Sequence, residues 1–243
     1  MTQTNPPIIV TRAEPGASET VKRLEARGLN AVSSPMLSLR ELPETPMRNP
    51  EEISGLVFTS ANGVRTYAAR RGDRHLPAWC VGPATAQAAQ HAGFKTVHES
   101  AGNAVDLAHF IAAKSAPSDR PLLHVANSAA AGTLKETLEA EGYRTVFAPI
   151  YEMRPAQMLP EQVTSFLDRS AKTILLLHSE KGASAFAALT KTIALSQCIG
   201  VAISARAVAP LEHANLSAIY IADAPNEDGL FAALEGALAT LSA

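Results

Sequence analysis

Between Leu56 and Ala86 the chain concentrates residues able to hold an anion: Thr59-Ser60-Ala61-Asn62-Gly63, and then Gly82-Pro83-Ala84-Thr85. Each polar run follows a short apolar segment, Gly55-Leu56-Val57-Phe58 in the first case and Ala78-Trp79-Cys80-Val81 in the second, and each opens a helical pattern. A strand that ends at a helix start leaves the N–H groups of the first helical turn without intrahelical partners. Ser, Thr or Asn at that point either caps them or leaves them to an anionic ligand. The stretch is poor in groups suited to acid–base chemistry, so it reads as a cradle more than as a catalytic centre.

The elements around it are those of a globular α/β protein. Of 243 residues, 47% are apolar and 18% charged, enough to bury one large or two small cores. A net charge of −2 provides no broad basic field, which argues against nucleic acid and anionic membranes as partners and requires any anion to be held locally. Cys80 and Cys198 lie far apart in apolar strand patterns, with neither a metal spacing nor a disulfide framework. The polar segment Met1 to Pro7 lacks the features of a signal peptide, and no apolar run is long enough to span a bilayer, so a cytoplasmic protein is expected.

Read in order, Ile8-Ile9-Val10, Gly16 to Arg27 and Ala31-Val32 form strand, helix and strand; Pro35 to Leu42 then alternates as a further strand. Strand and helix pairs follow from Gly55 to Ala113, with strands at Gly55–Phe58, Ala78–Val81 and Lys95–His98. Leu122 to Val125, a helix over Ala129 to Glu141, a strand at Arg144 to Phe147 and a second short strand at Pro149 to Pro155 come next. Strands at Thr173–Leu177, Ile199–Ile203 and Ala218–Ile221 alternate with the remaining helices. Such alternation predicts parallel sheets covered by helices.

Sliding residues 8 to 40 forward by 114 positions (131 − 17) matches Ala17 to Ala131, Leu24 to Leu138, Gly28 to Gly142, Val32 to Val146, Pro35 to Pro149 and Arg40 to Arg154. The intervening stretch repeats more weakly, Ser60 and Gly63 falling on Ser179 and Gly182. The order is therefore A, B, A, B. Pairing the first A with the last B predicts one lobe from 1–34 and 156–243 and another from 45–148, with 35–44 and 149–155 as strands that pair into a two-stranded bridge, and two lobes on a narrow bridge make a cleft.

Val10-Thr11-Arg12 before a helix ending Glu25-Ala26-Arg27-Gly28, then Phe58-Thr59-Ser60-Ala61-Asn62-Gly63-Val64, Val81-Gly82-Pro83-Ala84-Thr85-Ala86 and Pro149-Ile150-Tyr151, resemble the uroporphyrinogen-III synthase family in order and spacing. The resemblance spans nearly the whole chain. In the second half, the expected Thr-Ser pair is His178-Ser179, and the expected Gly-Pro-Thr-Thr turn is Ser204-Ala205-Arg206-Ala207. What the resemblance implies is two doubly wound parallel-sheet lobes, flavodoxin-like or Rossmann-like, joined by a two-stranded bridge. It further implies conversion of the linear tetrapyrrole hydroxymethylbilane to uroporphyrinogen III with inversion of the last ring, through a cationic azafulvene and a spiro intermediate, without cofactor or metal. The expected setting is a monomer that takes its substrate from hydroxymethylbilane synthase by transient hand-over.

On that reading Tyr151 is the candidate catalytic residue, its phenol donating to the leaving hydroxyl; the other reading is a half-buried sheet tyrosine. Thr59, Ser60, Ala61 and Asn62 are candidates for the substrate carboxylates, as are Gly82, where a backbone can approach closely, and Thr85; capping of their own helices is the competing role. Arg12 suits an ion pair to a substrate carboxylate, or a salt bridge within the protein. Ser128 reads as a cap before a ligand, and His178 as structural before catalytic; Ser179 and Ser204 belong to the same diverged wall. Two other functions compete: a non-catalytic two-lobed binding protein or sensor for a small anion, and a nucleotide-using enzyme. Against the latter, no G-x-G-x-x-G follows the first strand.

Overall fold

Short apolar segments feeding amphipathic helices fold here into parallel strands buried on both faces, the arrangement that crossover helices impose. The computed structural model describes residues 5–130, 132–169 and 171–242. In chain order its elements are β1 (Ile8–Val10), α1 (Gly16–Glu25), β2 (Ala31–Ser33), β3 (Leu37–Glu41), β4 (Gly55–Phe58), α2 (Ala61–Arg70), β5 (Ala78–Val81), α3 (Gly82–His91), β6 (Val97–Ser100) and α4 (Ala104–Lys114). Then come β7 (Leu122–Asn127), α5 (Thr133–Ala140), β8 (Thr145–Pro155), α6 (Glu161–Leu167), β9 (Thr173–Leu177), α7 (Glu180–Leu189), β10 (Cys198–Ala202), α8 (Ala205–Val208), β11 (Ala218–Ile221) and α9 (Glu227–Ser242).

The chain divides into two compact units, unit 1 running up to Ser38 and resuming at Arg154, unit 2 being Leu39–Met153. The sheet of unit 1 has the order β11-β10-β9-β1-β2, parallel throughout. The other sheet has the order β3-β8-β7-β4-β5-β6, parallel from β8 to β6. Numbered by first appearance, the parallel strands run 2-1-3-4-5 in unit 1 and 5-4-1-2-3 in unit 2. These are the two commonest doubly wound orders, and the permuted repeat makes them one arrangement. β1 and β2 correspond to β7 and the first half of β8, and β9, β10 and β11 to β4, β5 and β6. β3 lies antiparallel to β8: Leu42 N–H donates to Ile150 O at 2.8 Å, and Ala156 N–H to Met36 O at 2.9 Å, so one index falls as the other rises.

Period-two alternation sorts each strand between two cores. In unit 1, Ile8, Val10, Ile174 and Leu176 face α1 and α9, while Ile9, Leu175 and Leu177 face α7. In unit 2, Leu56, Phe58, Leu123 and Val125 pack under α2 and α3, with Val57, Trp79 and Leu122 under α4 and α5. Cys80 and Cys198 are free, buried thiols whose pKa values burial pushes up to about 12 and about 11, which keeps them protonated and unreactive. α2 rests directly on β7, since a Cβ added at Gly63 would lie 2.8 Å from the Val125 carbonyl oxygen.

β6 lies two residues later than expected, at Val97–Ser100 in place of Lys95–His98, and two further differences from the sequence reading have a local cause. Residues 145–155 form one strand, not two, because Pro149 falls at a bulge. Ala126 pairs with Pro149 and Asn127 with Tyr151, so Ile150 is passed over and the missing proline N–H costs no ladder bond. Ile150 (0% exposed) and Tyr151 (3%) are both buried in the core that also holds Phe58 and Val125. α5 begins at Thr133, later than the Ala129 expected, because the Asn127 side chain accepts the Ala129 N–H at 2.9 Å and holds a turn there.

Candidate functional site

In a doubly wound sheet, successive helices leave for opposite faces at one place, and the carboxyl ends of the two strands there border a crevice. In unit 2 that place lies between β4 and β7, whose helices α2 and α5 pack in different cores. In unit 1 it lies between β1 and β9, followed by α1 and α7. The candidates from the sequence fall on these strand ends: Thr59, Ser60, Ala61 and Asn62 after β4, Ser128 after β7, Arg12 after β1, and His178 and Ser179 after β9. Gly82 and Thr85 follow β5, and Ser204 follows β10, one strand further along each sheet.

In unit 2, Ser60 is the N-cap of α2, its hydroxyl accepting the Asn62 N–H at 3.2 Å. Asn62 itself accepts from Arg65 at 3.3 Å, and its amide nitrogen lies 3.9 Å from the Met153 sulfur. The Tyr151 phenol reaches this corner. Burial, the dominant influence, raises its pKa, while hydrogen bonding with the Ser60 hydroxyl and the Asn127 N–H acts the other way. A phenol at its ordinary value of 10 is protonated at neutral pH, and the net rise leaves it so. Ser128 is exposed, and its N–H donates to the Tyr151 carbonyl at 2.8 Å, so its backbone fixes the tyrosine in place. From the far end of α2, Arg70 donates to the carbonyls of Leu42, Pro43 and Thr45 at 3.0–3.1 Å. The Thr45 hydroxyl then donates to Pro149 O at 2.6 Å, two residues before Tyr151.

α3 starts differently. It has no side-chain cap, and Gly82 has φ +71° with open space where a Cβ would stand, so the backbone is approachable at a conformation glycine alone adopts readily. Thr85, at 5% exposure, offers its hydroxyl little access.

Unit 1 is more heavily charged. Glu227, at the start of α9, receives the Arg12 Nη1 at 3.0 Å and the Thr20 hydroxyl at 2.6 Å, with His178 Nε2 at 3.5 Å. Burial opposes its ionisation, but the His178 ring, the Thr20 hydroxyl and the Arg12 charge outweigh that and bring the carboxyl down to about 2. At 3.5 Å the histidine acts through proximity, not through a well-formed hydrogen bond. Arg12 thus has its salt bridge inside unit 1. The N-terminus of α1 also holds a carboxylate already: Glu14 accepts the Ser18 N–H at 3.0 Å, the Ser18 hydroxyl at 2.9 Å and the Ser33 hydroxyl at 3.1 Å. Although burial opposes it, these bonds hold the Glu14 carboxyl below its usual value. Sequence reasoning missed Glu227, Thr20 and Glu14. The one local signal was Glu14 ahead of a helix start; Glu227 lies 215 residues from Arg12. Among the described residues no group of three or more His, Cys, Asp or Glu is placed to hold a metal ion, and no helix is long and apolar enough to cross a membrane.

The chain is therefore an α/β protein of two doubly wound sheets, with hydroxyls, backbone N–H groups and a buried phenol gathered at the switch points. The model of the uroporphyrinogen-III synthase HemD family matches residues 18–232. Among solved structures, a uroporphyrinogen-III synthetase from Helicobacter pylori 26695 is similar with a TM-score of 0.67 at 18% identity, over 97% of this chain and 99% of that one. A mutant uroporphyrinogen III synthase from the extremely thermophilic bacterium Thermus thermophilus gives a TM-score of 0.53 at 15% identity, over 98% and 99%. Curated protein sequences give no match. The structural likenesses bear on the fold; the family match, over well more than half of the chain, bears on what it does. The chain belongs to the uroporphyrinogen-III synthase family. It is a lyase that cyclises hydroxymethylbilane to uroporphyrinogen III in haem biosynthesis, and the non-catalytic binder is not favoured.

Proposed function

We propose that the switch point of unit 2 carries the proton transfer of this cyclisation, with Tyr151 as general acid. The observation behind this reading is the meeting of a buried, protonated phenol with the Ser60 cap and the Asn127 N–H beside the free N-terminus of α3. The phenol gives its proton to the terminal hydroxyl of the bilane as the C–O bond breaks, and water leaves. The lone pair of the adjoining pyrrole nitrogen fills the vacancy to form the azafulvene cation. The substituted carbon of the last ring attacks that cation, the spiro intermediate opens and recloses inverted, and the proton finally lost from carbon restores the phenol. Such a site needs to fold a flexible chain and protonate one oxygen, and it needs no strong nucleophile.

The backbone N–H groups at the starts of α2 and α3, helped by Thr59, Ser60, Ala61, Asn62 and Gly82, hold carboxylates of the substrate, while the Thr85 hydroxyl is too buried to share in this. Ser128 positions Tyr151. Arg12 keeps donors beyond the one used on Glu227 and takes a further carboxylate. The enzyme works as a cytoplasmic monomer supplied by hand-over from hydroxymethylbilane synthase.

If carboxylates are shared among many weak donors, single truncations cost little. Ser60→Ala and Arg12→Ala are each expected to lower kcat/KM by about 5- to 30-fold, about 1 to 2 kcal/mol, mainly through KM. Initial rates of uroporphyrinogen III formation across substrate concentrations check this. A loss of a thousandfold at any one of them would move the catalytic role to that side chain.

A further inference from the structure

Tyr151 stands just past the bulge of β8, and the three carbonyls that orient the backbone around it are each held by a different donor. The Ile150 carbonyl accepts the Leu42 N–H at 2.8 Å, the Tyr151 carbonyl the Ser128 N–H at 2.8 Å, and the Pro149 carbonyl the Thr45 hydroxyl at 2.6 Å. The first two donors are main-chain groups that any residue except proline supplies at those positions. The third is a side chain, so it depends on the identity of residue 45.

A turn brings that side chain to its place. Leu42-Pro43-Glu44-Thr45 closes with the Thr45 N–H on the Leu42 carbonyl at 3.1 Å, and its second residue is a proline, whose fixed φ favours such turns. Arg70, in the last turn of α2, donates to the carbonyls of Leu42, Pro43 and Thr45 at 3.0–3.1 Å, using the planar fork of N–H groups that lysine lacks. The other end of the same helix meets β8 directly. Ser60, its N-cap, contacts the Tyr151 phenol, and the Asn62 amide nitrogen lies 3.9 Å from the Met153 sulfur. A rod of 10 residues, about 15 Å long, is thus tied to positions 149, 151 and 153 of one strand.

We infer that Thr45 and Arg70 are positioning residues for the cyclisation: through the Pro149 carbonyl they fix the backbone of Tyr151 against the helix whose N-cap meets its phenol. Neither side chain touches the substrate. The inference rests on the reading of Tyr151 as general acid, and adds what keeps its proton in place. A bulge interrupts the ladder and is the point at which a strand bends. With the Thr45 hydroxyl gone, the 149–150 peptide is free to turn, and a small turn there is amplified at the phenol oxygen, the atom farthest from the backbone. A misplacement of about 1 Å costs up to about 10²-fold in rate.

The test is a double-mutant cycle of Thr45→Val with Tyr151→Phe in the full chain, read as initial rates of uroporphyrinogen III formation across substrate concentrations. Thr45→Val keeps the shape and loses the donor, and is expected to lower kcat about 5- to 50-fold with KM changed less than about twofold. Thr45→Ser, which keeps the hydroxyl, is expected to restore kcat to within about threefold of wild type. In the Tyr151→Phe background, Thr45→Val is expected to cost less than about twofold, because no phenol proton is left to position. A hydrogen bond that only stabilises the fold would lower both backgrounds by the same factor, and that result overturns the inference. So does a loss below about threefold in Thr45→Val itself. Should Thr45→Val fail to fold by circular dichroism, Arg70→Gln replaces it in the cycle under the same criteria. A Tyr151→Phe variant as active as wild type removes the general-acid reading and the inference with it, whereas equal losses in the two backgrounds remove the inference alone.

Discussion

Replacing Tyr151 by phenylalanine is expected to lower kcat for uroporphyrinogen III formation by about 10²- to 10⁴-fold, the range for loss of a positioned general acid, with KM changed less than about threefold. The substitution removes one oxygen and keeps the ring in a core that also holds Phe58, Ile150 and Val125. It takes away a hydrogen-bond partner from Ser60 and the Asn127 N–H, at a stability cost of about 1 kcal/mol. Thermal unfolding should therefore shift by a few degrees at most while the rate collapses. A tyrosine that merely packs would give the reverse, a rate within a fewfold of wild type. Steady-state rates together with a melting curve separate the two.

The second large effect is on stability in acid. His124, on β7, is 5% exposed, packs at 5.5 Å against the Phe147 ring, and has Nε2 buried with no hydrogen-bond partner. Burial pushes its pKa from 6.5 down to about 4. The unfolded chain therefore binds a proton that the folded chain refuses between these two values, and stability falls as pH drops through the window. From pH 7.5 to 5.0 the unfolding free energy is expected to fall by about 2 kcal/mol, approaching about 3 kcal/mol near pH 4. Glu227 acts in the opposite ionisation sense and lower down, its carboxyl held at about 2 against 4.5, so its contribution is lost only below about pH 4.5. Urea unfolding at a series of pH values checks the slope. His124→Leu should flatten it between pH 5 and 6.5, and an unchanged slope in that variant would place the acid sensitivity elsewhere.

The class of fold was open to sequence reading because its signals are local. Runs such as Ile8-Ile9-Val10 and Thr173-Ile174-Leu175-Leu176-Leu177 are buried on both faces, as their unbroken apolarity requires. The repeat carried the topology, since Gly28 and Gly142 or Val32 and Val146 mark the same elements twice. Pro149 misled because proline normally ends a strand, and nothing local announces a bulge where it does no harm. The hydroxyls at the helix starts were equally legible: Ser60, Ser179 and Ser204 do cap α2, α7 and α8. What each strand end meets was not. The contact of Tyr151 with Ser60, and the grip of Glu227 on Arg12, Thr20 and His178, join residues far apart in the chain, and only packing brings them together. The charge cluster of unit 1 follows from that packing.

On the proposed mechanism this chain steers a reactive bilane to the inverted closure over the uninverted one by holding the substituted carbon of the last ring about 3 to 3.5 Å from the azafulvene carbon. Stabilising the cation alone would speed both closures alike. The most direct measurement supplies the purified protein with freshly made hydroxymethylbilane, oxidises the products and separates the isomers. The account predicts that the III isomer dominates and that its share rises with protein concentration at fixed substrate. A III fraction no greater than buffer alone produces would contradict it.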